Sequence, residues 1–138
     1  LTINAQEDPR FSTSESAIRF GICSVMCVPL VTDGELLGID MERVSITDSD
    51  SEGNDTSAAP AVSGNGRYVA FASPASNLVE EDTNGRPDVF VHDQETGTTE
   101  RVSVDAQGAE GNGRSCGPSL SREGRLVAFL SHASDLVP

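Results

Sequence analysis

The sequence predicts a mainly β chain, and three observations carry that prediction. Residues 42–80 align without a gap on residues 100–138 at a constant offset of 58, and 20 of the 39 pairs are identical. Short runs of β-branched and aromatic residues recur within this unit, with glycine- and asparagine-containing turns between them. No stretch after residue 41 holds a sustained 3.6-residue apolar pattern.

Within the unit, Glu42-Arg43-Val44-Ser45 recurs as Glu100-Arg101-Val102-Ser103, and Glu52-Gly53-Asn54 as Glu110-Gly111-Asn112. Gly66-Arg67-Tyr68-Val69-Ala70-Phe71 recurs as Gly124-Arg125-Leu126-Val127-Ala128-Phe129. Half identity over an ungapped alignment marks duplication of one structural unit. Four strands are expected per period, at about 59–63, 67–73, 88–93 and 98–104. The turns are Ser63-Gly64-Asn65-Gly66, Asn84-Gly85-Arg86-Pro87 and Glu95-Thr96-Gly97. The Glu-Gly-Asn segments, with acidic neighbours such as Asp48, Asp50 and Asp55, read as solvated loops joining successive units.

Four short strands repeated at this period suit a propeller blade, with the loop at 74–86 adding to the compact length of ~40–45 residues. The motif Pro60-Ala61-Val62-Ser63-Gly64-Asn65-Gly66-Arg67-Tyr68-Val69-Ala70-Phe71-Ala72-Ser73 has a copy running from Pro118 to Ser131. Residues 41–138 thereby resemble the TolB-like, PD40-type (WD40-like) propeller repeats of bacterial proteins. Gly64-Asn65 and Arg122-Glu123 stand where that family carries its Pro-Asp turn. The resemblance implies an incomplete β-propeller of less than two four-stranded blades, because closure takes roughly four to eight. An open blade stack leaves unpaired edges, so self-association is expected.

Residues 1–40 share nothing with the repeat. Ser12 to Gly21 has the look of a short helix start. The runs Ile22 to Leu30 and Glu35 to Ile39 predict a hairpin about Asp33-Gly34. Glu7-Asp8-Pro9-Arg10-Phe11, Gly21 to Leu30 and Gly34-Glu35-Leu36-Leu37-Gly38-Ile39 together resemble the C-terminal part of a GAF domain, an α/β fold. That resemblance covers about a quarter of such a domain and assigns no ligand residue. The two resemblances meet near Asp40-Met41, as a fusion or as a junction of two partial genes. The chain is accordingly read as a piece of a longer product. GAF modules imply the cytoplasm and TolB-like propellers the periplasm or export, and the N-terminus lacks the look of a signal peptide.

The charge excludes some partners. There are 22 acidic residues against 9 basic ones, all Arg, for a formal charge of −13. Nucleic-acid binding needs a cationic face, so none is expected. The longest apolar run, Val25 to Val31, is far short of the ~20 residues of a membrane helix, so no membrane insertion is expected.

Candidate chemistry is sparse. Cys23 and Cys27, four apart on an expected strand, would have α-carbons ~13 Å apart, too far for a disulfide. They and Cys116 read as packing residues. His92 and His132 lack a nucleophile and an orienting acid at a recurring spacing, so catalysis is not expected. One polar constellation stands out, in Glu80-Glu81-Asp82-Thr83-Asn84-Gly85-Arg86-Pro87-Asp88. Asp82, Asn84 and Asp88 place side-chain oxygens about a glycine-assisted turn, as a shortened calcium loop does. The plainer alternative is an Asx-turn leading into the strand at Asp88. No other cofactor is expected.

Three functions stay open from the sequence. One is a non-catalytic binding or scaffold module for a protein or small-molecule partner. The second is part of a GAF-containing small-molecule sensor in signal transduction. The third is a propeller accessory to a catalytic domain elsewhere.

Overall fold

A computed structural model describes residues 26–32 and 35–137, with side chains from residue 42 onward. The described chain is mainly β, with eight strands. β1 (Met26–Thr32) and β2 (Glu35–Glu42) form an antiparallel hairpin. β2 runs on without a break past Asp40-Met41, where the two sequence resemblances meet. The expected helix start at 12–21 and Cys23 lie outside the described residues.

Residues 58–101 form a four-stranded antiparallel sheet in sequential order: β3 (Ala58–Val62), β4 (Tyr68–Ser73), β5 (Asp88–Asp93) and β6 (Thr98–Arg101). β7 (Ser115–Leu120) and β8 (Val127–Ser131) repeat the β3–β4 hairpin at the same offset of 58. Both hairpins close identically: Ser63 Oγ accepts from Tyr68 N, and Ser121 Oγ from Leu126 N. Both also carry a register shift, between Ala58 and Ala61 and between Cys116 and Ser119. Ala59 and Gly117 occupy the shift with φ of 53° and 62°. The prolines that follow, Pro60 and Pro118, have no N–H to offer a ladder and are tolerated at a bulge.

β4 and β5 are buried along most of their length because they lie inside the sheet. Phe71 and Phe90 stack with centroids 5.8 Å apart, and Ala75, Leu78 and Val79 from the following loop complete the core. β6 ends at Arg101, shorter than the expected 98–104. The reason is local: the Val89 N–H finds the Ser103 hydroxyl at 3.0 Å in place of a backbone carbonyl.

The Glu-Gly-Asn segments are more than solvated loops. Asn54 takes Asn77 Oδ1 on its N–H at 2.7 Å, and donates from Nδ2 to Ser76 Oγ at 3.0 Å. Ser76 N–H returns a bond to Asn54 Oδ1 at 2.9 Å. Asn112 repeats the lock on Ser134 and Asp135. Gly53 and Gly111 let the loop close: a Cβ on Gly53 would stand 3.2 Å from Leu78 Cδ2, and one on Gly111 3.0 Å from Ala133 Cβ. The lock therefore holds the loop that supplies Ala75 and Leu78 to the core.

Candidate metal centre

The polar loop singled out in the sequence lies where one copy of the unit meets the next. Asp88 opens β5 and is fully buried. The Ser103 hydroxyl donates to Asp88 Oδ1 at 2.5 Å, and Asn84 Nδ2 donates to Asp88 Oδ2 at 2.8 Å. Asn84 Nδ2 also reaches Gly111 O at 3.0 Å, while its Oδ1 accepts from Arg86 N at 2.6 Å. Asn84 thus forms the Asx-turn, with its only oxygen committed to the backbone and its amide bracing Asp88.

Glu110 takes the place beside the two aspartates. A small hairpin turns it back: Val104 bridges Glu110, and Asp105 Oδ1 caps the turn by accepting from Gln107 N and Ala109 N, both at 2.8 Å. Its carboxylate receives Thr83 N at 3.0 Å, Thr83 Oγ1 at 2.5 Å and Arg101 Nη1 at 2.8 Å. One carboxylate oxygen each from Asp82, Asp88 and Glu110 then lie within 4.8 Å of one another.

Arg101 is the cation of the cluster. Its Nη1 stands 3.6 Å from Asp82 Oδ1, outside hydrogen-bond range, and Nη2 donates to Glu81 O at 3.2 Å. The Asp82 side chain is 2% exposed, and its Oδ2 is buried without a hydrogen-bond partner among the described residues. Burial pushes the Asp82 carboxyl above the usual carboxylate range, against the pull of Arg101. Glu110 moves the other way: desolvation raises it, but the bonds from Thr83 and the charge of Arg101 outweigh that and lower it. Two carboxylates in one pocket are thus held differently, Glu110 by donors on both oxygens and Asp82 by almost none.

The duplication explains what Glu110 is doing there. Arg43 and Glu52, the equivalents of Arg101 and Glu110, form the same ion pair across the same hairpin. Their side chains are 26% and 50% exposed, against 9% and 19% for Arg101 and Glu110. The Arg–Glu pair therefore belongs to both copies, and Asp82 and Asp88 of the preceding copy stand beside the more buried one, Arg101–Glu110.

Other polar groups act as struts. The Thr99 hydroxyl donates to Ile46 O at 2.6 Å, which uses its proton. It must then accept from His92 Nδ1 at 3.0 Å, fixing the neutral imidazole with hydrogen on Nδ1. Burial lowers the His92 pKa, opposed by Glu42, Asp93, Asp48 and Asp50. His132 is exposed, and Cys116 is a free thiol within β7. Arg67 clamps Asp93 with two bonds of 2.9 and 2.6 Å, which hold that carboxyl down at about 2.

Among the described residues no helix is long and apolar enough to cross a membrane. Compared with family models and with curated proteins, the chain finds no match in either.

Proposed function

We propose that residues 41–138 are part of a β-propeller, and that the chain works as a non-catalytic binding or scaffold module. The observation that carries this reading is the packing of the second copy directly on the first. β7 packs against β3, β4 and β5. Ser115 N–H donates to Pro87 O at 2.8 Å and Asn65 N–H to Arg122 O at 3.2 Å. A four-stranded antiparallel meander followed at once by the start of another is the arrangement in which blades succeed one another.

The buried polar side chains support the non-catalytic part. Ser73 donates to Thr56 O, Ser103 to Asp88, and His92 to Thr99. These groups join segments of backbone 7 to 17 residues apart. A propeller leaves partner recognition to its loops, on a frame held in this way.

A second reading, part of a small-molecule sensor of GAF type, draws its support from the β1–β2 hairpin. The two are separated by selecting peptides from a random display library on the immobilised chain, then titrating selected peptides and cyclic nucleotides in solution. The scaffold reading expects saturable peptide binding with the peptide recovered intact. Turnover of the ligand, or saturable nucleotide binding with no peptide selected, contradicts it.

A further inference from the structure

We propose that Asp82, Asp88 and Glu110 bind one divalent cation of the calcium class, which fastens the first copy of the repeat to the second. The inference stands on the cluster itself and does not depend on the scaffold reading.

Charge is the first ground. Three carboxylates and the guanidinium of Arg101 leave a formal −2 in a pocket whose members are 0 to 19% exposed. A buried net charge is costly unless it is met by an opposite one. One divalent cation brings the pocket to neutrality.

The second ground is Asp82. Its side chain is 2% exposed, and Oδ2 has no hydrogen-bond partner among the described residues. An acceptor oxygen in that state calls for a positive group beside it. Arg101 does not fill the role: its Nη1 stands 3.6 Å from the other oxygen, Nη1 and Nη2 are engaged with Glu110 and Glu81 O, and Nε is buried without a hydrogen-bond partner among the described residues.

Ligand chemistry sets the class. The cluster offers oxygens alone, and without His or Cys it suits a hard cation rather than a transition metal. Oxygens within 4.8 Å of one another fit around one calcium ion with bonds of about 2.4 Å, the remaining positions going to water. Magnesium, with bonds of about 2.1 Å and a strict octahedron, is served less well by these three. Ser103, Asn84 and Thr83 already orient two of the carboxylates, as the outer partners of metal ligands do. Asp88 Oδ1, Asp88 Oδ2 and Glu110 Oε1 each accept one hydrogen bond and keep a lone pair for the ion, whereas Glu110 Oε2 accepts two.

The duplication also provides an internal control. Glu52 pairs with Arg43 as Glu110 does with Arg101, and among the described residues no aspartates join it in a ligating group. It is half of the site without the other half.

The test is calorimetric titration of CaCl2, and separately MgCl2, into the full chain freed of metal, with thermal melts in parallel. Expected are one saturable calcium site with Kd on the order of 10⁻⁴ M or tighter, weaker magnesium binding, and a calcium-dependent rise in Tm. Asp82→Asn and Glu110→Gln each weaken binding at least ~10-fold, while Glu52→Gln leaves it unchanged. Asp82→Asn preserves the shape and removes a buried charge that only Arg101, at 3.6 Å, offsets, so it folds without metal and melts no lower than the parent. No saturable heat up to millimolar calcium overturns the proposal. So does equal affinity in Asp82→Asn, Glu110→Gln and Glu52→Gln, which would mean surface binding to an acidic protein. If Glu110→Gln does not fold, Asp82→Asn alone decides.

Discussion

Gly124 lies against the ring of Tyr68 with no room for a methyl group: a Cβ there would stand 2.1 Å from Tyr68 Cδ2. Tyr68 belongs to the first copy of the repeat and Gly124 to the second. Gly124 also sits at φ 71°, where an L side chain is strained. Gly124→Ala is therefore expected to destabilise by about 2–4 kcal/mol, adding the left-handed cost to the overpacking. Adding Tyr68→Ala relieves the clash but not the backbone strain. In denaturant melts the double variant should be more stable than the two single losses summed.

Ala59 tests the backbone without touching a side-chain contact. It holds φ 53° at a bulge where the second copy has Gly117 at 62°. Left-handed alanine costs roughly 1–2 kcal/mol, and glycine gives back about 0.4–1 through the unfolded chain. Ala59→Gly should therefore stabilise by about 0.5 kcal/mol, a rise of a few degrees in Tm for a chain of this size. Gly117→Ala should lower Tm. An unchanged or lower Tm for Ala59→Gly contradicts the bulge geometry.

His92 predicts a pH dependence of definite sign. Its folded pKa lies below the ordinary 6.5, because burial disfavours the imidazolium. Between the folded value and 6.5 the unfolded chain binds more protons than the folded one. Stability is thus full above about 6.5 and falls as the pH drops through that window. His92→Asn keeps a donor towards Thr99 and cannot charge. Melts between pH 7.5 and 5.5, at roughly these values for an imidazole, should show a slope in the parent that the variant loses. A slope that survives in His92→Asn contradicts the prediction.

Surface exposure predicts self-association. Leu126 and Leu130 flank and lie on β8 and are 73% and 71% exposed, and among the described residues β8 pairs only with β7. In the first copy the matching strand, β4, is covered on that side by β5. An uncovered apolar edge recruits another strand. Sedimentation velocity should show concentration-dependent association, reduced by Leu126→Ser with Leu130→Lys. Monomer at all concentrations contradicts it.

Much of this architecture was legible because the repeat is strong and strand patterns are local. Tyr68 to Ser73 and Asp88 to Asp93 read as strands from their own composition, and the structure places strands there. The end of β6 was not legible, since a hydroxyl at Ser103 replaces a ladder carbonyl and leaves no mark on the β pattern. At the candidate centre, Asp82 and Asp88 were readable from spacing within one loop. Glu110 was not, because it arrives from the next copy, 22 residues beyond Asp88 in sequence. The signal that could have found it is the pairing of Arg with Glu nine residues on, which recurs as Arg43 with Glu52 and Arg101 with Glu110. The Asn54 lock was hidden for the same reason: Glu-Gly-Asn recurs together with Ala-Ser-Asn-Leu in one copy and Ala-Ser-Asp-Leu in the other, but only the fold reveals that they touch.

The central claim is that two copies of one unit pack face to face at Tyr68 and Gly124. The chain has a single tyrosine, so its ring protons are unambiguous in an NMR spectrum. A nuclear Overhauser spectrum of the folded chain, with glycine α-protons assigned, should contain strong cross-peaks between the Tyr68 ring and Gly124 Hα. Their absence, with the hairpin contacts of β3–β4 and β7–β8 intact, would mean that the copies fold but do not stack.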